Sequence, residues 1–324
     1  MTGVTGKLPG AAALDKLSKS QTLDKISTRV KEMFTSNNQK ATDKLFARLK
    51  VGTTDSKLYE SAAYQTWANS VSKTYKKDPG SGEAAMLQTM ISHYGDEALA
   101  KLLSEAQQVS KTRRVDERFE TKQLDNWLAT GRTADDVYGL LKLNVDMEGI
   151  FKNSLLKTWI SFVDKLGKED PYSLLLSKLV KHYGEYGLSN VLLRVKTDGS
   201  PFQVTESVQK ALLSKWQNDG KTADDVFKLL KLNTDKGDEL LESPALRTWM
   251  SYVALGKGDP YNLLLLKLTS RYDEEELTHM LVVAKSGIAR NVEKAQLKSW
   301  LSKGKTAEDA FKLLRLNSEK GTTF

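Results

Sequence analysis

The chain repeats itself, and this repetition constrains its fold more than any other sequence feature. One segment, which we call the L segment, reads GRTADDVYGLLKLN, GKTADDVFKLLKLN and GKTAEDAFKLLRLN in copies that end at Asn144, Asn233 and Asn317. A degenerate earlier copy, QKATDKLFARLKV, ends at Val51. The aromatic residue of each copy recurs at intervals of 92, 89 and 84 residues: Phe46, Tyr138, Phe227 and Phe311. A period of this length predicts an array of similar folded units.

Two further boxes recur in step with the L segment. The Trp box reads YQTWANSV, LKTWISFV and LRTWMSYV, and its tryptophans are 92 and 90 residues apart: Trp67, Trp159 and Trp249. The Tyr box carries a tyrosine every 89 residues: Tyr94, Tyr183 and Tyr272. Apolar residues around these boxes recur at i, i+3 and i+4, which predicts helices with one buried stripe. We therefore expect these aromatic residues and those of the L segments, Phe311 included, to anchor the cores of small helical bundles.

The Gly-Lys-Thr triplet in two L segments resembles the end of a phosphate-binding loop. Such a loop needs a first glycine five residues earlier, between a strand and a helix, and Lys215 holds that position before Gly220. A helical corner explains the triplet better. Gly220 ends one helix in a left-handed conformation, and Thr222 with Asp225 caps the next. The other two corners follow the same pattern: Gly131, Thr133 and Asp136, and then Gly304, Thr306 and Asp309.

An aspartate followed by proline predicts a helix start ahead of two Tyr boxes, at Asp170 and Asp259. Ser81 holds the corresponding place before the first Tyr box. Each unit then contains about five helices, and the predicted fold is an all-α, elongated solenoid-like stack. We predict a first unit over residues 14–110, two full units over 111–200 and 201–290, and C-terminal helices over 291–324 that cap the third unit.

Composition agrees with a folded, helical chain. Of its 324 residues, 40% are hydrophobic and 28% are charged, and only six are prolines. Cysteine is absent, so disulfides and thiolate metal sites are excluded. No apolar run reaches the roughly 18 residues of a membrane span. The net charge of +8 is spread over all segments among acidic residues, which favours a solvated surface over a nucleic-acid site.

Catalytic and metal-binding residues are scarce. His93 and His182 occupy equivalent positions before a Tyr-box tyrosine, but Arg271 holds that position in the third unit. A position that tolerates arginine favours a structural or surface role over acid–base chemistry. His279 has no partner histidine at helical spacing. The sequence therefore predicts no catalytic residue, no metal site and no cofactor.

The three boxes together resemble the LWY repeats of oomycete RXLR effectors, over most of the chain from about Leu23 to Asn317. In that family each unit is a helical bundle, and L helices join the units end to end. The family's RXLR and dEER motifs are missing here, and DERFE at Asp116–Glu120 lies inside a repeat helix. Since the family carries both motifs in a leader, we expect the sequence to represent a mature effector domain.

The resemblance implies secretion by a plant pathogen and a non-enzymatic role in the host cytoplasm or nucleus. Some tandem effectors of this family bind the scaffold and catalytic subunits of host protein phosphatase 2A in place of a regulatory B subunit. A pair of adjacent units carries that contact, which points to residues 115–290 here. Two residues before each tryptophan stand Gln65, Lys157 and Arg247. We interpret the two basic ones as solvated helix positions or as acid-binding contacts to the partner.

Two other hypotheses remain open from the sequence. The chain could be an adaptor for a different host protein, or a basic RNA-binding suppressor of silencing. Binding to RNA would weaken steeply with salt, because phosphate contacts release counterions. We expect a monomer before partner binding and no membrane association.

Overall fold

The computed structural model describes residues 37–53, 58–106, 113–147, 149–197, 202–234, 237–284 and 286–314. The predicted start of the first unit at residue 14 and the end of the last L segment at Asn317 lie outside these ranges. The chain divides into two compact units, Met1–Pro171 and Tyr172–Phe324. Every regular element in the described ranges is a helix. The prediction of an all-α repeat fold is confirmed.

The helices of the first compact unit are α1 (Asn37–Arg48), α2 (Ala62–Thr74), α3 (Pro79–Tyr94), α4 (Asp96–Ala106), α5 (Arg113–Ala129), α6 (Ala134–Leu140) and α7 (Leu155–Leu166). Short 3-10 helices cover Val51–Thr53, Leu58–Glu60 and Ile150–Lys152. The helices from the unit boundary onward are α8 (Pro171–Thr197), α9 (Phe202–Asn218), α10 (Ala223–Leu229), α11 (Gly237–Glu242), α12 (Pro244–Leu255), α13 (Pro260–Thr269), α14 (Glu274–Val283), α15 (Gly287–Ser302) and α16 (Ala307–Leu313).

The Gly-Lys-Thr triplet forms a helical corner, as predicted. Gly220 has a φ of 69°, and the N–H of Lys221 donates to the carbonyl of Trp216 at 3.0 Å. The Thr222 hydroxyl accepts from the N–H of Asp225 at 3.1 Å, and the Asp225 carboxylate accepts from the N–H of Thr222 at 2.8 Å. The same left-handed glycine and capping box occur at the other two corners: Gly131 with Thr133 and Asp136, and Gly304 with Thr306 and Asp309.

The helix that leads to each Tyr box starts at an aspartate. The Asp259 carboxylate caps α13 by accepting from the N–H groups of Tyr261 at 3.0 Å and Asn262 at 3.1 Å. The prediction of Ser81 as the corresponding start in the first unit is wrong. There α3 begins at Pro79, and Asp78 caps it by accepting from the N–H of Ser81 at 3.2 Å. The Asp-Pro pair sets the start because proline at the first helical position has no N–H to satisfy.

The Trp-box tryptophans are the centres of the cores. All three are 0% exposed, and each packs edge to face on its L-segment aromatic residue, with ring centroids 4.9, 5.2 and 5.2 Å apart: Trp67 on Phe46, Trp159 on Tyr138 and Trp249 on Phe227. Each indole N–H also donates to a backbone carbonyl of the L segment: Thr42 at 3.0 Å, Ala134 at 2.8 Å and Ala223 at 2.8 Å. The tryptophan therefore holds the Trp-box helix on the L helix by packing and by a hydrogen bond.

The other predicted anchors differ in burial. The tyrosines of the Tyr boxes are half-buried, at the edge of the core: Tyr94, Tyr183 and Tyr272. The Tyr272 hydroxyl accepts from the N–H of Gly237 at 2.7 Å. Phe311 was predicted as a core anchor, and this is wrong, since its side chain is 42% exposed. Its equivalents are buried by a Trp-box helix, and within the described residues none packs on α16.

Candidate partner-binding surface

A second set of tryptophans, which the sequence analysis missed, locks successive helices together. These residues stand four positions before each corner glycine: Trp127, Trp216 and Trp300. All are buried, with exposures of 1%, 0% and 4%. Their spacing of 89 and 84 residues matches that of the later L segments, so the repeat spacing could have identified them as equivalent positions.

Each of these tryptophans donates its indole N–H to an acidic residue two positions after a Tyr-box tyrosine. The distances are 2.8 Å from Trp127 to Asp96, 2.9 Å from Trp216 to Glu185 and 2.6 Å from Trp300 to Glu274. We call each such pair a joint. The joint ties the helical segment after the Tyr box to the helix that enters the next corner; in α8 that segment follows the non-helical Gly184, whose φ is 68°. A hydrogen bond to a charged acceptor is roughly twice as strong as one between neutral groups, so it adds to the packing that holds the two helices together.

Lysines complete the two later joints. Lys215 lies 3.0 Å from Glu185 and also pairs with Asp219, and these hydrogen bonds, with Asp219 first, raise the pKa of Lys215. Lys305 lies 2.9 Å from Glu274. The joints thus present a rigid frame on which surface residues are held at fixed positions.

Both residues predicted to contact a partner are on the surface. Lys157 on α7 and Arg247 on α12 are exposed, like Gln65 at the equivalent position on α2. The threonine that follows each basic residue, Thr158 or Thr248, is buried beside the tryptophan. The buried neighbours hold the helix in place, so the two basic side chains project from rigid elements. The two residues belong to different compact units.

Arg247 borders an open groove of about 540 Å³. Its lining combines apolar side chains with one acidic and one basic residue: Leu241, Glu242, Arg247, Met250, Tyr261 and Ile288. The groove lies between the Trp-box helix α12, the start of α13 and the start of α15. An apolar floor with a charged rim suits a peptide segment that carries an acidic side chain beside an apolar one.

The corresponding groove of the first compact unit, of about 430 Å³, lies between α2, the start of α3 and α5. There the arginine, Arg118, forms an ion pair with Glu83 at 3.1 Å. Asn291 replaces Arg118 at the equivalent position of the second groove, nine residues before the joint tryptophan. The two grooves share a scaffold but differ in charge arrangement.

The three histidines lie on the surface. His93, His182 and His279 are all exposed. His93 packs 5.2 Å from the Phe46 ring, and Arg271 at the equivalent position lies 5.5 Å over the Phe227 ring. In these two cases the residue before the Tyr-box tyrosine covers the aromatic residue of the L segment. In the part of the chain that the structure describes, no three His, Cys, Asp or Glu side chains are placed to hold a metal ion.

Exposed apolar side chains concentrate in the second compact unit. Among the described residues of the first unit only Val145 is a large exposed hydrophobic residue. The described residues of the second unit include seven: Leu255, Leu266, Val282, Val283, Leu297, Leu301 and Phe311. No described helix combines the length and the apolar character that crossing a membrane requires.

The fold defines the class of the molecule: an all-α tandem-repeat protein with Trp-anchored bundles. No protein-family model matches the chain. It is 32% identical over 289 residues to RxLR effector protein PSR2 of Phytophthora sojae, which covers 86% of this chain and 43% of that protein. It is 30% identical over 265 residues to RxLR effector protein CRE15 of Phytophthora infestans, with 81% of this chain and 75% of that protein covered.

The structural comparison agrees with these relatives. The crystal structure of PcRxLR12 matches with a TM-score of 0.67 and 30% sequence identity, over 86% of this chain and 68% of that one. The chain belongs to the RxLR effectors of Phytophthora, which are virulence proteins secreted and delivered into host cells. The chain spans less than half of the length of PSR2, at 43%.

Proposed function

We propose that this chain is a non-enzymatic adaptor that binds the core enzyme of host protein phosphatase 2A. In this proposal it takes the place of a regulatory B subunit and redirects dephosphorylation to suppress immunity. Support comes from membership of the RxLR effectors and from the tandem-repeat scaffold. Partner choice is not set by the scaffold, so the surface residues must carry it.

The observation that carries the proposal is the placement of Arg247. Its exposed guanidinium borders an apolar groove, and the scaffold around it is fixed by the buried Trp249 and the Glu185 joint. Arginine beside an apolar floor is a common centre of binding energy in protein interfaces. Lys157 occupies the equivalent position on α7. In this proposal it is a second contact to the phosphatase, made by the first compact unit.

The test is co-elution of this chain with purified plant phosphatase 2A scaffold and catalytic subunits in size-exclusion chromatography at about 0.15 M salt. We expect a ternary complex with the wild-type chain. Charge reversal at both sites, Lys157→Glu with Arg247→Glu, should abolish it. The matched control reverses two exposed lysines elsewhere, Lys168→Glu with Lys210→Glu, and should leave the complex intact.

Separate peaks for the wild-type chain would remove the phosphatase from the proposal and leave the adaptor role to be tested with other host proteins. The RNA hypothesis makes a different prediction, because RNA binding would fall steeply between about 0.05 and 0.2 M salt. The control variant would then weaken binding as much as the double variant, since both replace two positive charges with two negative ones.

A further inference from the structure

The groove beside Arg247, which we call the Arg247 groove, carries two charges that no described residue of the chain neutralises. Its floor is apolar, with Leu241 and Met250 buried and Ile288 half-buried. Glu242, the last residue of α11, and Arg247 on α12 both line the groove and are exposed. Among the described residues, neither of these two side chains forms an ion pair, with the other or with a third group.

The corresponding groove of the first compact unit supplies its own charge partner. There the Glu83 carboxylate lies 3.1 Å from Arg118. Glu83 stands eleven residues before its Tyr-box tyrosine, and Tyr261 holds that place in the second compact unit. Gln65 of the first unit stands where Arg247 stands in the second. The Arg247 groove therefore lacks the internal acid of the first groove and has an additional basic side chain, so its charges are available to a ligand.

A groove at this place is a feature of the repeat. In the first compact unit it is open to solvent, although the next L helix and the next Trp-box helix, α6 and α7, follow in the same unit. The helices that come next in the chain therefore do not fill it. The two grooves differ in the side chains that a ligand would meet.

We propose that the Arg247 groove binds an extended segment of a partner protein that presents a basic, an apolar and an acidic side chain on one face. The acidic side chain pairs with Arg247 and the basic one with Glu242. The apolar side chain packs on Met250 and Ile288, between the two charged ones, because the floor is apolar and the charges stand at its rim. The inference rests on the Arg247 contact of the proposed function, and it names the kind of segment that this contact receives.

The remaining polar groups of the groove favour an extended segment over a helix. Tyr261 and Asn291, both half-buried, bring a hydroxyl and an amide to the lining. Such groups can pair with the free peptide N–H and C=O groups of an extended chain, whereas a helix pairs these groups internally. Alternate side chains of an extended chain lie on one face about 7 Å apart. The three side chains therefore stand at every second position of the ligand.

The two charges select a ligand by the arrangement of its charges. A segment with two acidic side chains would bring one of them to Glu242, and a segment with two basic ones would bring one to Arg247. Like charges placed opposite each other disfavour both. Because the whole chain carries a net charge of +8, non-specific attraction would instead favour the doubly acidic segment. A preference for the segment with one charge of each sign therefore identifies the groove.

The probe is the peptide GGKALAEG, acetylated and amidated, titrated into the full chain with carbon-13 in its methionine and isoleucine methyl groups. We expect saturable NMR shifts of the Met250 and Ile288 methyl signals. Met86, in the groove of the first compact unit, is the internal control and should not shift. The peptides GGKALAKG and GGEALAEG should each bind about fivefold more weakly, because each loses one ion pair at the rim.

Charge reversal in the chain tests the two assigned pairs one at a time. Glu242→Lys should make GGEALAEG the preferred peptide, and Arg247→Glu should make GGKALAKG the preferred peptide, each by about fivefold. Lys210→Glu, at an exposed lysine elsewhere in the second compact unit, is the matched control. It should leave the order of the three affinities unchanged.

Absence of shifts at Met250 and Ile288, or equal affinities for the three peptides, would overturn the proposal. A preference that Glu242→Lys does not change would overturn it as well, since Arg247 alone would then select the ligand. The phosphatase test is separate. Peptide binding without phosphatase co-elution would keep the groove and remove the phosphatase, whereas co-elution without peptide binding would keep the phosphatase and remove the groove.

Discussion

The second and third joints lie in the same compact unit and show how far local sequence determines structure. Trp216 with Glu185 and Trp300 with Glu274 form the same hydrogen bond, and the same left-handed glycine and capping box follow. The aromatic residue that comes next, however, is buried in one case and exposed in the other. Helix ends are therefore fixed by residues within a few positions, whereas burial depends on a helix that lies some twenty residues further along the chain.

The largest expected difference is in the free energy of unfolding that is lost when the L-segment aromatic ring is removed, at the buried Phe227 or at the exposed Phe311. Phe227→Ala should lower the free energy of unfolding by about 3–5 kcal/mol, because it leaves a cavity beside Trp249. Phe311→Ala should cost about 0.5 kcal/mol or less, because the ring is partly in solvent already. Urea denaturation followed by circular dichroism measures both. Equal losses would mean that a helix covers Phe311 in solution, and the comparison would fail.

The joints themselves should differ by a smaller amount. Glu185→Ala removes the acceptor of Trp216 and an ion pair with Lys215, so we expect a loss of about 1–3 kcal/mol. Glu274→Ala should cost less, because the Glu274 side chain is 38% exposed against 19% for Glu185. Glu185→Gln keeps an acceptor for the indole but loses the charge, and its loss should lie between that of Glu185→Ala and zero. A Glu185→Ala variant as stable as the wild type would show that the joint contributes packing alone.

Most of the scaffold could be predicted from the sequence, for reasons that lie in its spacing. The corner glycines, the capping boxes and the Trp-box cores follow from residue types that act within one turn or repeat at a fixed period. The predicted start of α3 is wrong because the first unit does not keep the spacing between helix start and Tyr-box tyrosine that the two later units share. Asp78, three residues before Ser81, caps the helix.

The surface could be predicted only in part. Exposure of Lys157 and Arg247 follows from their place beside buried residues, but the groove beside Arg247 requires α11, α12, α13 and α15 to come together. The joint tryptophans were missed although their spacing was visible, since nothing in one helix shows that its tryptophan meets an acidic residue 26–31 positions away. Phe311 was misjudged because a repeat predicts equivalent residues, and equivalence of sequence does not supply the neighbour that buries them.

The smallest expected effect concerns the capping boxes. They should be alike at the corner before the buried Phe227 and at the corner before the exposed Phe311. Hydrogen bonds from the Thr222 side chain and then its backbone lower the pKa of Asp225, and the corresponding bonds from Thr306 lower the pKa of Asp309. Both carboxylates are on the surface, so the caps do not depend on the Trp-box helix. Titration of the two carboxyl carbons by NMR should give pKa values below the ordinary value of about 3.9 for both.

The sign of the pH effect follows from the direction of these shifts. A carboxyl group with a pKa lowered by folding stabilises the protein fully above its unfolded pKa of about 3.9, and this contribution is lost as the pH falls through the folded pKa. The difference in stability between the wild type and Asp225→Asn should therefore be constant from about pH 5 to 8 and shrink below about pH 4. A lowered pKa at Asp225 but not at Asp309 would contradict this. It would mean that the capping box of the last corner forms only when a Trp-box helix covers it, so that local helix capping depends on burial.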